Sequence, residues 1–139
     1  MSKAIQFPYT ITNPALGESS SLPYLPFTLQ QQQQHTISAT GLVDSGATVN
    51  VLPFSIGLQL GLNWARQTVP VQLTGNLARF EARGVIVAAT VGTFAPVRLA
   101  FAWTASDEVP ALLGQMNFFL EFDVCFFRSQ SLFEIKPKP

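Results

Sequence analysis

An all-β, barrel-like domain is what this sequence predicts, and three observations point to it. Short runs rich in Val, Ile, Thr and aromatic residues recur at close spacing, broken by Gly, Pro and Asn. Nowhere do apolar residues sustain a long helical period. With 139 residues, 47% of them hydrophobic, the chain can build one real core and stays below the size at which cores divide.

Taken in order, residues 1–21 are rich in Pro, Ser and Thr without periodicity, which predicts an extended N-terminal arm ahead of a single domain at 22–139. Tyr24 to Leu29 and Thr36 to Val43 read as two strands, with Gln30 to Gln34 as the polar connection of a hairpin. Val49 to Leu52 is a short strand ended by Pro53. Phe54/Leu58 and Ile56/Leu60 then stand at i,i+4 spacing and predict one short helix closed by Gly61. Thr68 to Leu73 and Ala78 to Arg83 are strand-like arms around the turn formers Thr74-Gly75-Asn76. Val85 to Val91 and Val97 to Trp103 are two more strands, the second with Leu99, Phe101 and Trp103 on one face. Ala111 to Gly114 predicts a buried strand and Gln115 to Phe122 a short helix. Phe126-Phe127 and Leu132 to Ile135 form a last hairpin around Arg128 to Ser131.

Composition narrows the function. Charged residues make up 12% of the chain, too few to cover a monomer's surface in the ordinary way, so part of the apolar surface is expected to be an interface. A net charge of zero, 8 basic against 8 acidic residues, argues against a nucleic-acid partner. The uncharged stretch Ser45 to Ala65 is interrupted by Asn50, Pro53, Gln59 and Asn63 and does not read as a membrane span. Met1 to Pro8 contains no apolar h-region, so export is not expected. Cys125 is the single cysteine, which fits a reducing, cytoplasmic setting, and its neighbours Val124, Phe126 and Phe127 predict a small buried hydrophobe. One Cys and one His, His35, cannot build a metal cluster, and His35 beside the glutamines is expected at the surface without a catalytic role; no cofactor is expected.

The most informative segment is Leu42-Val43-Asp44-Ser45-Gly46-Ala47-Thr48. A carboxylate set among Leu42, Val43, Ala47 and the following Val49 and Val51 is disfavoured as a charge unless something uses it. Asp44-Ser45-Gly46-Ala47 resembles the active-site loop of the retropepsin-like aspartic proteases. Two further segments follow in the family's order. Val71 to Arg83, with its tip at Leu73, Thr74, Gly75 and Asn76, is similar to the flap hairpin, and Leu112-Leu113-Gly114 with a short helix after it is similar to the strand behind the loop.

The resemblance implies a retropepsin-like acid-protease barrel with a flap hairpin and one or two short helices, of the stand-alone bacterial type, cyanobacterial in particular. It implies an aspartic endopeptidase in which Asp44 is catalytic, Ser45, Gly46 and Ala47 shape its loop, and Val43, Val51, Leu73, Leu113 and Gly114 stand at the pocket. Such chemistry needs two apposed carboxyls sharing a proton, one as base for a water and one as acid for the carbonyl oxygen. Asp107 and Asp123 lack a following Ser/Thr-Gly, so the dyad is expected across a homodimer, Asp44 with the partner's Asp44, acting on a peptide substrate. Thr48 and Gln115 stand where many retroviral relatives carry an ion-paired Asp and Arg. The alternative is a catalytically silent module of the same fold that binds peptides or dimerises; the two differ in whether Asp44→Asn abolishes turnover.

Overall fold

The protein's computed structural model describes residues 3–32 and 35–139. The strands are β1 (Ile5–Pro8), β2 (Thr10–Ile11), β3 (Ser21–Leu22), β4 (Tyr24–Gln31), β5 (His35–Val43), β6 (Asn50–Leu52), β7 (Ala82–Thr90), β8 (Val97–Thr104), β9 (Leu112–Leu113), β10 (Phe122–Phe127) and β11 (Leu132–Pro137); two short helices are α1 (Phe54–Gln59) and α2 (Phe118–Glu121). Six strands close a barrel in the order β4-β5-β9-β6-β8-β7, and β1-β11-β10 form a separate sheet. The all-β barrel expected from the sequence is therefore present.

Alternation along the strands sets the barrel's core. Leu25, Phe27 and Leu29 of β4, Val85 and Val87 of β7, and Leu99, Phe101 and Trp103 of β8 all point inward and are buried. The predicted apolar face of β8 is thus the face that packs. A second, smaller cluster of Val51, Leu73, Ala82, Ala102, Val109 and Leu112 lies on the other side of β6 and β8. All three residues of β6 are buried because the strand has a core on each face.

Helix α1 starts after Pro53, which offers no capping side chain; Asp107 supplies the acceptor instead, its Oδ1 receiving the Ser55 N–H at 2.8 Å. The helix ends as predicted at Gly61, whose φ of +81° lets Gly61 N–H reach the Leu58 carbonyl and Leu62 N–H reach that of Gly57. Gly57 lies flat against the Trp103 indole, leaving no room for a side chain. Trp103 in turn stacks on Phe54 (5.6 Å between rings), meets Trp64 edge-on, and donates its indole N–H to the Phe54 carbonyl.

Some elements differ from the sequence-based expectation. β4 runs to Gln31 and β5 starts at His35, so the first glutamines belong to the strand, while Gln33 and Gln34 lie outside the described residues. His35 is exposed, next to Gly61. The helix expected over Gln115 to Phe122 shrinks to Phe118–Glu121 because the N–H groups of Gln115 and Met116 bond to the Ala47 and Thr48 carbonyls. Phe122 opens β10 and packs on Phe118, ring centroids 5.0 Å apart. Cys125 is exposed and not buried, since odd positions of β10 face away from the core.

Within residues 1–21, β1 pairs with β11 (Phe7 opposite Phe133) and Pro14–Ser20 form 3-10 turns. Glu18 joins these turns to the β10–β11 connection: its Oε2 accepts from the hydroxyls of Ser131 and Ser21, and Arg128 donates to its carbonyl. The Ser131 hydroxyl first, then that of Ser21, with the Arg128 charge adding, hold the Glu18 carboxyl below its usual range against the opposing effect of desolvation.

Two outcomes are expected. Gly57→Ala forces the indole or the helix to move and should lower unfolding free energy by about 1–3 kcal/mol in urea titrations. Glu18 favours the folded state above the ordinary carboxylate range, and that contribution fades as pH falls through its depressed folded value. Melting temperatures of wild type and Glu18→Gln should therefore differ near neutral pH and converge in acid; a gap that widens in acid would overturn the assignment.

Candidate active site

β5 ends at Val43 and pairs in parallel with β9, Leu42 opposite Leu112 and Val43 opposite Leu113. The chain then turns. Asp44 N–H donates to the Leu113 carbonyl (3.0 Å), Ala47 N–H donates to the Asp44 carbonyl (3.1 Å), and the Gly46 N–H donates to Asp44 Oδ1 (2.9 Å). The carboxylate is half-buried at the end of β5, held by the turn it starts.

Residues 113–117 grip this loop from behind. Gln115 N–H bonds to the Ala47 carbonyl (2.9 Å), Met116 N–H to that of Thr48 (3.0 Å), and Asn50 N–H returns to that of Met116 (2.9 Å). Such an approach requires Gly114, because a Cβ there would stand 2.5 Å from the Val49 carbonyl oxygen and 2.7 Å from that of Ala47. Fully buried Asn50 secures the crossing: its Oδ1 accepts the Gly114 N–H (2.8 Å), and its Nδ2 donates to the Ala100 carbonyl (2.9 Å) and to Asn117 Oδ1 (3.2 Å). Gln115 Nε2 also donates to the Ser45 carbonyl at 2.8 Å, so a neutral side chain ties loop and strand where the sequence lacks an ion pair.

Above the loop is a cleft of about 360 Å³, with Asp44, Gly46 and Ala47 on its floor, Val51 and Leu112 in its wall, and residues 73–77 as its roof. Among the described residues, Asp44 is the only charged group lining it. A larger depression of about 520 Å³ on the outer face of β4 and β5 is lined by Phe7, Pro26 and hydroxyl residues, with no titratable group among its described lining residues. Among the described residues no cluster of His, Cys, Asp and Glu could hold a metal ion.

The structure brings Asp44, Gly46, Ala47, Val51, Leu73, Thr74, Gly75 and Asn76 together around the cleft, as the motifs suggested, with Ser45 exposed at the loop's outer corner. Val43 and Leu113 are not pocket walls. Both are buried in the barrel core, facing away from the cleft, and alternation gives that wall to Leu112 instead. Gly114 stands behind the loop and does not line the cleft.

The arms expected for residues 68–73 and 78–83 are also corrected. Pro70 pairs with Arg83, and Val71 N–H and Gly84 N–H bond to the Ala82 and Val69 carbonyls, but beyond this base the ladder stops. The tip is a 3-10 turn over Gly75–Leu77, with Gly75 at φ +61°, and Gln72 Nε2 closes the loop onto the Leu73 and Ala78 carbonyls. Leu73 is buried and Leu77 and Phe80 partly so, against Val51, Val109 and Leu112. Their i, i+4, i+7 spacing was the available signal that this segment folds down as a turn.

No family model matches the sequence, and no curated protein is similar to it by sequence. A solved structure is similar: a retropepsin-like aspartic protease from Rickettsia conorii, with a TM-score of 0.64 and 15% identity, covers 96% of this chain and 99% of its own. The fold is retropepsin-like. In that retropepsin-like barrel, the crossing of the Asp44 loop with Gly114 is what positions the one carboxylate of the cleft. Asp107 is committed to α1, and Asp123 is exposed on β10, so neither lines the cleft.

Gly114→Ala should displace the loop, whereas a Cβ at Gly46 would meet only Asp44 Oδ1 at 3.3 Å. The expected result is a loss of about 1–3 kcal/mol or more in unfolding free energy for Gly114→Ala and a smaller loss for Gly46→Ala. Equal losses would show that the close crossing is not the constraint.

Proposed function

We propose that the chain is an aspartic endopeptidase that hydrolyses peptide bonds through a water activated by Asp44 and the Asp44 of a second copy. The observation that carries this reading is the lone carboxylate of Asp44, fixed by the Gly46 N–H at the floor of a cleft whose other lining residues are uncharged. Its Oδ2 has no protein hydrogen bond among the described residues and is free to meet a water or a partner carboxyl.

In the proposed reaction the two carboxyls share one proton, because like charges roughly 3 Å apart cannot both ionise. The ionised carboxylate removes a proton from the water as its oxygen attacks the peptide carbonyl carbon, and the protonated one donates to the carbonyl oxygen. The tetrahedral diol then collapses. A proton passes to the amide nitrogen as the C–N bond breaks, and the dyad returns to one shared proton. The Ser45 hydroxyl, exposed at the loop corner, is assigned the contact to the opposite loop that the resemblance implies. Residues 73–77 serve as the flap, opening to admit an extended peptide and closing to exclude water. Ala47, Val51, Leu73 and Leu112 favour apolar side chains at the scissile bond.

A diverse peptide mixture digested by wild type and Asp44→Asn, with products read by mass spectrometry, tests this. Cleavage should rise faster than linearly with enzyme concentration, and Asp44→Asn should lower it about 100-fold or more. A folded dimer that cleaves nothing would replace the protease with a peptide-binding module.

A further inference from the structure

The peptide unit between Ser45 and Gly46 is bonded at both ends. Its N–H is the Gly46 donor to Asp44 Oδ1 (2.9 Å), and its carbonyl oxygen accepts from Gln115 Nε2 (2.8 Å). A trans peptide is planar, with its N–H and C=O pointing in opposite directions. Gln115 therefore stands on the far side of this unit from the carboxylate, and whatever fixes the carbonyl also fixes the N–H. Gln115 is itself anchored beside the loop, because its backbone N–H donates to the Ala47 carbonyl (2.9 Å).

The unit needs fixing because of where it sits. Ala47 N–H donates to the Asp44 carbonyl (3.1 Å), so Asp44 to Ala47 form a β-turn whose central peptide is the one between Ser45 and Gly46. Turns of types I and II differ by a flip of that central peptide, and type II requires a positive φ at the third residue. Gly46 is the third residue here and has no Cβ to oppose the flip. In this structure its φ lies outside the left-handed region. Flipped, the unit would turn its N–H away from Asp44 and its carbonyl oxygen toward the carboxylate. The local sequence leaves both orientations open, and a side chain 70 residues away selects one.

We propose that Gln115 is a positioning residue for Asp44, which holds the Ser45 carbonyl and thereby keeps the Gly46 N–H on the carboxylate. A carbonyl that accepts a hydrogen bond polarises its own amide, so the two bonds reinforce each other. An ionised oxygen gains more from such a donor than a protonated one, and the ionised form is the one that takes the proton from water. No neighbouring charge competes with this effect. Among the described residues Asp44 is the only charged group lining the cleft, residues 45–49 and 114–117 carry no charge, and the proposed dyad adds the second Asp44. The effect of Gln115 on turnover rests on the protease reading above, whereas its effect on the loop does not.

The test is Gln115→Met at this exposed position, which keeps length and bulk and removes the donor. Proton–nitrogen NMR from about pH 3 to pH 7 follows the Gly46 amide, and Asp44→Asn identifies the part of its pH response that belongs to the carboxylate. Peptide cleavage gives kcat and KM over the same range. In Gln115→Met the two orientations should shift about fivefold toward the flipped one, the ratio that one net hydrogen bond supports. The Gly46 amide proton then moves upfield and the midpoint of its pH response rises. In cleavage, kcat falls with KM little changed, and the acidic limb of kcat/KM moves to higher pH. An unchanged Gly46 resonance and midpoint overturn the proposal whatever the melting temperature does, and leave the protease reading intact where cleavage persists. A Gly46 change accompanied by the pH–rate profile of wild type overturns it as well. The expected Gly46 changes in a chain that cleaves nothing support the positioning and overturn the protease reading.

Discussion

The buried amide of Asn50 is the interaction on which the cleft depends. Three backbone segments must cross where the Asp44 loop, the end of β9 and β8 meet, and their N–H and C=O groups cannot all pair in one ladder. Asn50 accepts from Gly114 and donates to Ala100 and Asn117, and Asn117 in turn accepts from Ala100 N–H and donates to the Arg98 carbonyl. An unpaired buried amide would cost about 1–3 kcal/mol, so the network is stabilising only because every member is satisfied. No buried side-chain nitrogen or oxygen among the described residues lacks a partner.

Around this crossing the apolar residues divide into two clusters, and the division places the roof of the cleft. Leu52 belongs to the barrel core, while its neighbour Val51 belongs to the smaller cluster with Leu73, Val109 and Leu112. The segment above Asp44 is thus seated on apolar contacts that also form the cleft wall. Opening the roof would expose Leu73 and uncover part of Val51 and Leu112. A peptide with apolar side chains would replace that lost burial, which couples occupancy of the proposed site to movement of its roof.

Low charge content and a single cleft carboxylate become consistent once the proposed second copy is considered. Asp107 is used to cap α1, and Arg83 lies over Trp64 while donating to its carbonyl, so several of the few charged groups hold local structure. Met116, Leu120, Phe126 and Phe127 stay exposed and make the surface there apolar.

The sequence by itself determined the β-rich class, the helix closed at Gly61 and the six barrel strands along the chain, because alternation and turn residues act over a few residues. The meeting of Asp44 with the 73–77 segment and Gly114 joins residues distant in sequence and was expected only from the resemblance of three motifs taken in order. The buried role of Asn50 was visible only as a polar residue inside Val49-Asn50-Val51-Leu52, with nothing to name its partners, which lie far away in sequence. Which of Leu112 and Leu113 faces the cleft, and that Val43 faces the barrel core, was decided by the tertiary structure, because a strand buried on both faces has no polar alternation to read. The short α2, the exposed Cys125 and the folded-down roof were decided the same way. Each follows from long-range pairing or packing: the 115–116 amides taken by the Asp44 loop, β10 left at an edge, and Leu73, Leu77 and Phe80 drawn onto a second core that exists only when the barrel is closed.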